Sequence, residues 1–255
     1  MKRLENKTLA KKILYAAGGI SATLGLLVLI GWYTNSVFFI QIHPTFVPMQ
    51  YNTALGFLLS GLAVISFSIG YKKTSAVLGG VVALVGGLTL VEYIFSVDLG
   101  IDQIFMEHYV TVKTSHPGRM APNTALSFLL TGLFFIANLL KMDQQKKEFM
   151  CALFGSILFS LGIVAFLGYV LQLEAAYGWQ KLTRMAIHTS FGFVALSIGI
   201  LSRLLFGQIN ESKRLWIPIP LAFRVMLIFI LFSHATHQQE SKLLQEHIDL
   251  DTKSI

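Results

Sequence analysis

Seven long apolar stretches constrain this chain more than any other feature of its sequence. A helix needs about 20 mostly apolar residues to cross the roughly 30 Å hydrocarbon core of a bilayer. The stretches that approach this length are 13–33, 53–70, 75–96, 124–140, 149–171, 189–207 and 215–235. The pattern predicts an all-α integral membrane protein with seven transmembrane helices.

The composition excludes other classes of protein. Hydrophobic residues make up 54% of the 255 residues and charged residues 13%, whereas soluble domains carry about 25% charged residues. This apolar content excludes a disordered chain, and the single Cys151 excludes an intramolecular disulfide or a multi-cysteine zinc site. The first stretch exceeds the roughly 7–15 apolar residues of a cleavable signal peptide. We interpret it as an uncleaved signal anchor.

The positions of Lys and Arg predict the orientation of the chain. Basic residues concentrate in cytoplasmic loops, and 13 of them fall in the N-terminal tail and alternate loops, against 6 on the other side. The N-terminus is therefore predicted inside and the C-terminus outside, with a cytoplasmic tail at 1–12 and an extracytoplasmic tail at 236–255. The net charge of +7 is then explained by topology. Because the basic residues are dispersed over the cytoplasmic loops, they give little support to nucleic-acid binding.

Three segments of the sequence align without gaps. They are Met49–Gly61, Met120–Gly132 and Met185–Ser197, and they recur after 71 and 65 residues. Each segment begins an even-numbered predicted helix on the outer side. We therefore expect three helical hairpin repeats of the same (parallel) topology plus a seventh helix, at 13–70, 75–140, 149–207 and 215–235. Gly56, Gly61 and Gly132 are small residues that allow helices to approach closely.

An Asn-Thr pair recurs near the beginning of these segments. Asn is among the best residues for capping a helix N-terminus, and a following Thr can bond the backbone locally. We therefore predict Asn52, Thr53, Thr124 and Thr189 as helix caps. In the third segment His188 replaces Asn, and because His is not a favoured cap its presence requires another reason.

Longer strings of residues carry a family resemblance. These are the run LTLVEYIFSVDLGIDQIF at Leu88–Phe105, the string from Pro117 that contains Arg119-Met-Ala-Pro-Asn-Thr, and the string from Ala176 that contains Arg184-Met-Ala-Ile-His-Thr. Over about residues 12–236 the chain resembles the multi-helix N-terminal input region of bacterial membrane sensors, including histidine kinases and cyclic-di-GMP enzymes.

The resemblance implies a sensory input module at 13–235 in the bacterial cytoplasmic membrane. Such a module responds on the outer side and is not itself an enzyme. The implied partners are the lipid bilayer and either a second copy of the chain or a signalling output protein, with no cofactor and no nucleic acid. Only 236–255 follow the last predicted helix, which leaves two alternatives open: a stand-alone relative or a sensor without its output domain.

The same resemblance selects candidate site residues. It points to Glu92, Arg119, Arg184 and His188 as candidates. We predict that these four residues form one polar cluster under the outer loops. A Glu92→Gln substitution should then change stability or the response to a ligand. The full predicted set for ligand binding or signalling is Glu92, Asp98, Asp102, Arg119, Asn123, Arg184 and His188.

Two other functions stay open on the sequence alone. Glu92 and Arg224 lie within predicted spans, where charges are costly and call for a functional hypothesis, so a small transporter or channel is one alternative. The other is a haem or metal protein, because all seven histidines fall on or near the outer side. The i, i+3 spacing of His234 and His237 is too common to predict a metal site. For Arg224, simple snorkelling toward the headgroups is the competing interpretation.

Overall fold

A computed structural model describes residues 2–110, 112–179 and 182–206 of the chain. The predicted seventh helix at 215–235, its Arg224 and the predicted tail at 236–255 lie outside these residues.

The described residues form helices and contain no strand. The helices are α1 (Lys2–Thr34), α2 (Val37–Ile40), α3 (Tyr51–Ser68), α4 (Lys72–Phe95), α5 (Pro122–Leu139), α6 (Gln144–Val170), α7 (Glu174–Tyr177) and α8 (Ile187–Leu205). Within the described part of the chain, six of them are long and apolar enough to cross a membrane: α1, α3, α4, α5, α6 and α8. The prediction of a multi-pass, all-helical membrane protein is confirmed to this extent. We call the end of the bundle where α3, α5 and α8 begin the outer end, and the opposite end the inner end.

Two helices begin earlier than the apolar stretches predict. Helix α1 starts at Lys2 and so includes the predicted basic tail, because Lys, Leu and Ala are good helix formers and Glu5 in the first turn favours the positive helix terminus. Helix α6 starts at Gln144, not near 149, because the carboxylate of Asp143 accepts a hydrogen bond from the Lys146 backbone N–H at 2.8 Å. This is an ordinary N-cap, and it lies outside the apolar run.

The helices pack in three pairs that close around a centre. Helix α1 packs on α3, α4 on α5 and α6 on α8, and adjacent pairs meet through α1 with α8, α3 with α4 and α5 with α6. At the centre, the rings of Phe57, Phe128 and Phe193 contact one another with centroids 5.1, 4.8 and 4.9 Å apart. All three rings are buried. Helices α3, α5 and α8 therefore share one aromatic core, and each supplies the phenylalanine that occupies the same place in its aligned segment.

Each pair also brings two helix backbones together at a glycine. A Cβ atom added at these glycines would lie under 3.0 Å from a carbonyl oxygen of the paired helix: Gly25 against Ala54, Gly86 against Ala125 and Gly162 against Ser190. A side chain would force the helices apart, so small residues set the spacing of each pair.

Candidate functional site

The outer end of each helix pair is closed by the same kind of hydrogen bond. An aromatic side chain donates to the backbone oxygen of a buried methionine: Trp32 Nε1 to Met49 at 3.0 Å, Tyr93 Oη to Met120 at 2.9 Å and Tyr169 Oη to Met185 at 2.8 Å. Each methionine lies directly before the N-cap of α3, α5 or α8. The bond therefore fixes the point at which the chain enters α3, α5 or α8.

A sequence signal for these donors exists, and the prediction above missed it. In α1, α4 and α6 the donor follows two glycines at seven-residue spacing: Gly18, Gly25 and Trp32; Gly79, Gly86 and Tyr93; Gly155, Gly162 and Tyr169. Residues seven apart lie on nearly the same face of a helix. The spacing thus marks the face that α1, α4 and α6 each turn toward the helix with which they pair.

The predicted helix caps are wrong. Helices α3, α5 and α8 have Gln50, Ala121 and Ala186 as N-caps, and none of the three makes a side-chain capping bond. The predicted caps Asn52, Thr53, Thr124 and Thr189 instead lie inside the first turn. In α5 the reason is Pro122, since proline is favoured at the first helical position and moves the helix start ahead of Asn123. The Asn123 side chain bonds the Thr124 backbone N–H at 3.0 Å from within the helix.

Arg119 is the centre of a buried ionic cluster at the outer end. Its Nε lies 2.6 Å from Asp102 Oδ2 and 3.3 Å from Glu92 Oε2, and its Nη2 lies 3.6 Å from Asp98 Oδ1. Arg119 is 3% exposed and Glu92 is fully buried, whereas Asp98 is exposed. We call these four residues the Arg119 cluster. With all groups ionised, three carboxylates face one guanidinium, which leaves two negative charges uncompensated.

The local backbone places these groups. Helix α4 ends at Phe95, and the residue that follows, Ser96, has a left-handed φ of 53°. The returning chain lets Glu92 Oε1 accept the Leu99 N–H at 3.0 Å. Gly118 has φ 75° and lies so close to Asp102 that an added Cβ would be 2.6 Å from its backbone oxygen. Glycine is the residue that tolerates this conformation without strain. The turn at Gly118 therefore delivers Arg119 to the carboxylates.

The Arg119 cluster is electrostatically unbalanced. Burial raises the pKa of Asp102 above its ordinary value, although Arg119 opposes the rise. Oxygens of Glu92, Asp98 and Asp102 all lie within 4.8 Å of one another. Among the described residues, two buried oxygens make no hydrogen bond of good geometry: Asp102 Oδ1 and Glu92 Oε2, the latter in ionic contact with Arg119. Adding a positive charge or a proton at this position relieves repulsion, which makes the cluster sensitive to the ionic conditions outside it.

The prediction that Arg184 belongs to the same cluster as Arg119 is wrong. The Nη1 of Arg184 lies 2.7 Å from Glu174 Oε2, and Lys113 also pairs with Glu174. Burial raises the pKa of Glu174, but Lys113 and Arg184 together bring it below its ordinary value. Since Lys113 lies in the loop between α4 and α5, these pairs connect that loop to the one between α6 and α8.

His188 makes no ion pair with the described residues of either set. It is in the first turn of α8 and is 7% exposed. Its ring lies near the backbone of Ile40, but neither ring nitrogen makes a hydrogen bond of good geometry to a residue that the structure describes. Gln50 and Asn52, at the start of α3, also bury polar atoms that have no hydrogen-bond partner in the described part of the chain. Asn123 is better satisfied, because its Nδ2 lies 3.4 Å from the Tyr177 backbone oxygen.

Comparison with known proteins adds no family to these observations. The chain matches no protein-family model, no curated protein and no solved structure. The contacts of the outer end are therefore the basis for assigning a role.

The tyrosine bond to Met185 gives a direct test of the outer-end contacts. We expect Tyr169→Phe to lower the free energy of unfolding by about 1–3 kcal/mol, because it leaves a buried carbonyl oxygen without its donor. The stacking on Tyr177, with centroids 3.9 Å apart, is retained. Tyr33→Phe is the matched control, since it removes an exposed hydroxyl that bonds the Tyr51 hydroxyl and no other described residue. Equal thermal midpoints for the two purified variants would contradict a structural role for the Tyr169 bond.

Proposed function

We propose that this chain is the sensory input module of a bacterial membrane signalling system, without a catalytic activity of its own, and that the Arg119 cluster is its responding element on the outer side. One observation carries the proposal: a single buried arginine holds three carboxylates at the outer end. An ion cluster with this imbalance changes its energy whenever a proton, a cation or a charged ligand reaches it.

The position of the cluster supports coupling to the helices. Glu92 lies in the last turn of α4, whereas Arg119 directly precedes Met120, whose carbonyl is held by Tyr93 of α4. A change in attraction between Glu92 and Arg119 therefore acts between the end of α4 and the start of α5. Small shifts of packed helices are a common way to carry a signal across a protein.

The architecture we propose is three copies of one helical hairpin, followed by a seventh helix at 215–235. The corresponding hydrogen bonds to Met49, Met120 and Met185 support this repeat. The distribution of basic residues supports a cytoplasmic N-terminus and an extracytoplasmic C-terminus. In this orientation the outer end, with the Arg119 cluster, faces the outside of the cell.

The proposed partners are the lipid bilayer and a second copy or an output protein. Exposed Val77, Leu84 and Val91 recur at seven-residue spacing on α4 and form an apolar stripe, which supports contact with lipid. The resemblance of the sequence to sensor input regions supports the bacterial cytoplasmic membrane as the location and a signalling protein as the downstream partner.

The test is a reporter response to outer pH. The chain is joined through its N-terminus to a cytoplasmic reporter histidine kinase, and autophosphorylation is measured as the outer medium is taken from about pH 7 to about pH 5. Because the fold raises the pKa of Asp102, the folded cluster binds protons more tightly than the unfolded chain. Its contribution to stability therefore increases as the pH falls toward the ordinary Asp pKa. We expect kinase output to follow this titration.

Matched variants decide whether the cluster is responsible. Glu92→Gln and Asp102→Asn should reduce the response, whereas Glu107→Gln removes an exposed carboxylate of the same loop and should leave it unchanged. His116→Gln is a further control for a nearby histidine, because His116 packs against Tyr93, which itself lies next to Arg119. It too should leave the response unchanged. Normal responses from folded Glu92→Gln and Asp102→Asn would overturn the proposal. Substrate uptake by reconstituted vesicles would instead favour the transporter alternative.

A further inference from the structure

A cavity of about 380 Å³ lies at the inner end of the bundle, opposite the Arg119 cluster. Residues of α1, α3, α4, α6 and α8 line it, including Lys11, Phe67, Lys72, Lys147, Cys151 and Arg203. This volume is in the lower part of the range of small-molecule sites, roughly 300–1,000 Å³. The cavity is therefore large enough for the polar part of a small ligand.

The charged lining is predominantly positive. Lys11, Lys72, Lys147 and Arg203 line the cavity together with one acidic residue, Glu148, so four positive charges face one negative charge. Gln144 also donates a hydrogen bond to Glu148 at 2.8 Å. A concave site lined by one sign of charge concentrates ions of the opposite sign.

Within the described residues, Arg203 is held in place by uncharged groups. Its Nη1 donates to Asn138 Oδ1 at 3.2 Å, and its guanidinium carbon lies 4.4 Å from the centre of the Phe67 ring. Among the described residues, no carboxylate lies within 4.0 Å of Arg203. A planar guanidinium fixed by an amide and an aromatic face is positioned to bind an incoming oxyanion.

We propose that this cavity binds a phosphate group, either that of an anionic phospholipid headgroup or that of a soluble phosphate compound. Arg203 would supply paired N–H donors to the phosphate oxygens, and Lys11, Lys72 and Lys147 would supply point charges around it. Lys72 is the first residue of α4 and Lys11 lies near the start of the apolar part of α1, so these lysines lie at the level expected for headgroups. Basic pockets between membrane helices are known to bind acidic headgroups. This site is separate from the proposed outer response element.

The sequence provides a matched control for every lysine of the cavity. Each has a lysine neighbour on the same helix that does not line the cavity: Lys12 beside Lys11, Lys73 beside Lys72 and Lys146 beside Lys147. The cavity triple Lys11→Gln, Lys72→Gln and Lys147→Gln therefore has a control triple Lys12→Gln, Lys73→Gln and Lys146→Gln. Both triples remove the same charge from the same helices.

The experiment titrates the purified full chain in an uncharged detergent by calorimetry. The probes are inorganic phosphate and short-chain phosphatidylglycerol, with short-chain phosphatidylcholine as the control for acyl chains. We expect the cavity triple to raise the Kd of the bound probe at least about 10-fold, and the control triple to raise it less than about 3-fold. Binding of inorganic phosphate would identify a soluble source, and binding of phosphatidylglycerol alone would identify a lipid source.

Substitutions of Arg203 provide a second test of the same site. Arg203→Gln should weaken the binding of the same probe, and Arg203→Lys should restore part of it, because the ammonium keeps the charge but not the planar fork. The proposal is overturned if neither anionic probe binds, if phosphatidylcholine binds as tightly as phosphatidylglycerol, or if the two lysine triples weaken binding equally. Thermal midpoints of all variants, measured without probe, establish that loss of binding does not come from loss of the fold.

Discussion

Replacing Arg119 by Gln should destabilise the protein by about 3–5 kcal/mol, the largest effect expected of any charge substitution at the outer end. The side chain is 3% exposed and lies within 3.6 Å of an oxygen from each of three carboxylates. Without the guanidinium, Glu92 and Asp102 remain buried with no positive partner and repel each other. Unfolding of the purified variant in detergent, followed by circular dichroism, measures the loss.

Charge removal elsewhere in the cluster separates this effect from general damage. Glu92→Gln keeps an oxygen for the Leu99 N–H and leaves the bond from Arg119 to Asp102 intact, so its effect on stability should be below about 1 kcal/mol. Adding Glu92→Gln and Asp102→Asn to Arg119→Gln should recover part of the lost stability, because the repelling charges are then gone. If Arg119→Gln alone is as stable as Glu92→Gln, the arginine does not hold the cluster.

The pairing of Glu92 with Arg119 could be predicted from the sequence, but the positions of Arg184 and His188 could not. Glu92 lies near the end of a predicted span and Arg119 just before the next one, so hairpin topology alone brings them close. Arg184 has an equally good partner in Glu174, 10 residues earlier in the sequence. Whether Arg184 pairs with Glu92 or with Glu174 depends on the fold of the loop between α6 and α8, which hydropathy does not encode.

The six described spans follow from hydropathy, whereas their starting points and their packing faces do not. A proline such as Pro122 moves a helix start by two residues, and a capping residue such as Asp143 by five, without changing the apolar pattern. The packing faces are encoded in the seven-residue spacing of glycines in α1, α4 and α6. That spacing is visible only when α1, α4 and α6 are aligned with one another, as the three segments that begin α3, α5 and α8 were aligned.

Gly132→Ala should produce the second large loss of stability, at least about 2 kcal/mol, because it places a methyl group against a helix backbone. An added Cβ at Gly132 would lie under 3.0 Å from the Gly79 carbonyl oxygen and the Ala83 backbone nitrogen. Neither atom belongs to a flexible side chain, so α4 and α5 must move apart. Their separation would also strain the bond from Tyr93 to Met120 and the contact of Glu92 with Arg119.

Gly80→Ala is the matched control for this prediction. Gly80 is adjacent to Gly79 on α4, yet an added Cβ there meets no atom of the described residues within 4 Å. Alanine favours a helix over glycine by about 1 kcal/mol, so this variant should be as stable as the unmodified chain or slightly more stable. Thermal midpoints of the two purified variants, measured side by side, make the comparison. A Gly132→Ala protein as stable as Gly80→Ala would mean that the close approach of α4 and α5 does not set the packing, and the coupling proposed between the Arg119 cluster and α5 would lose its structural basis.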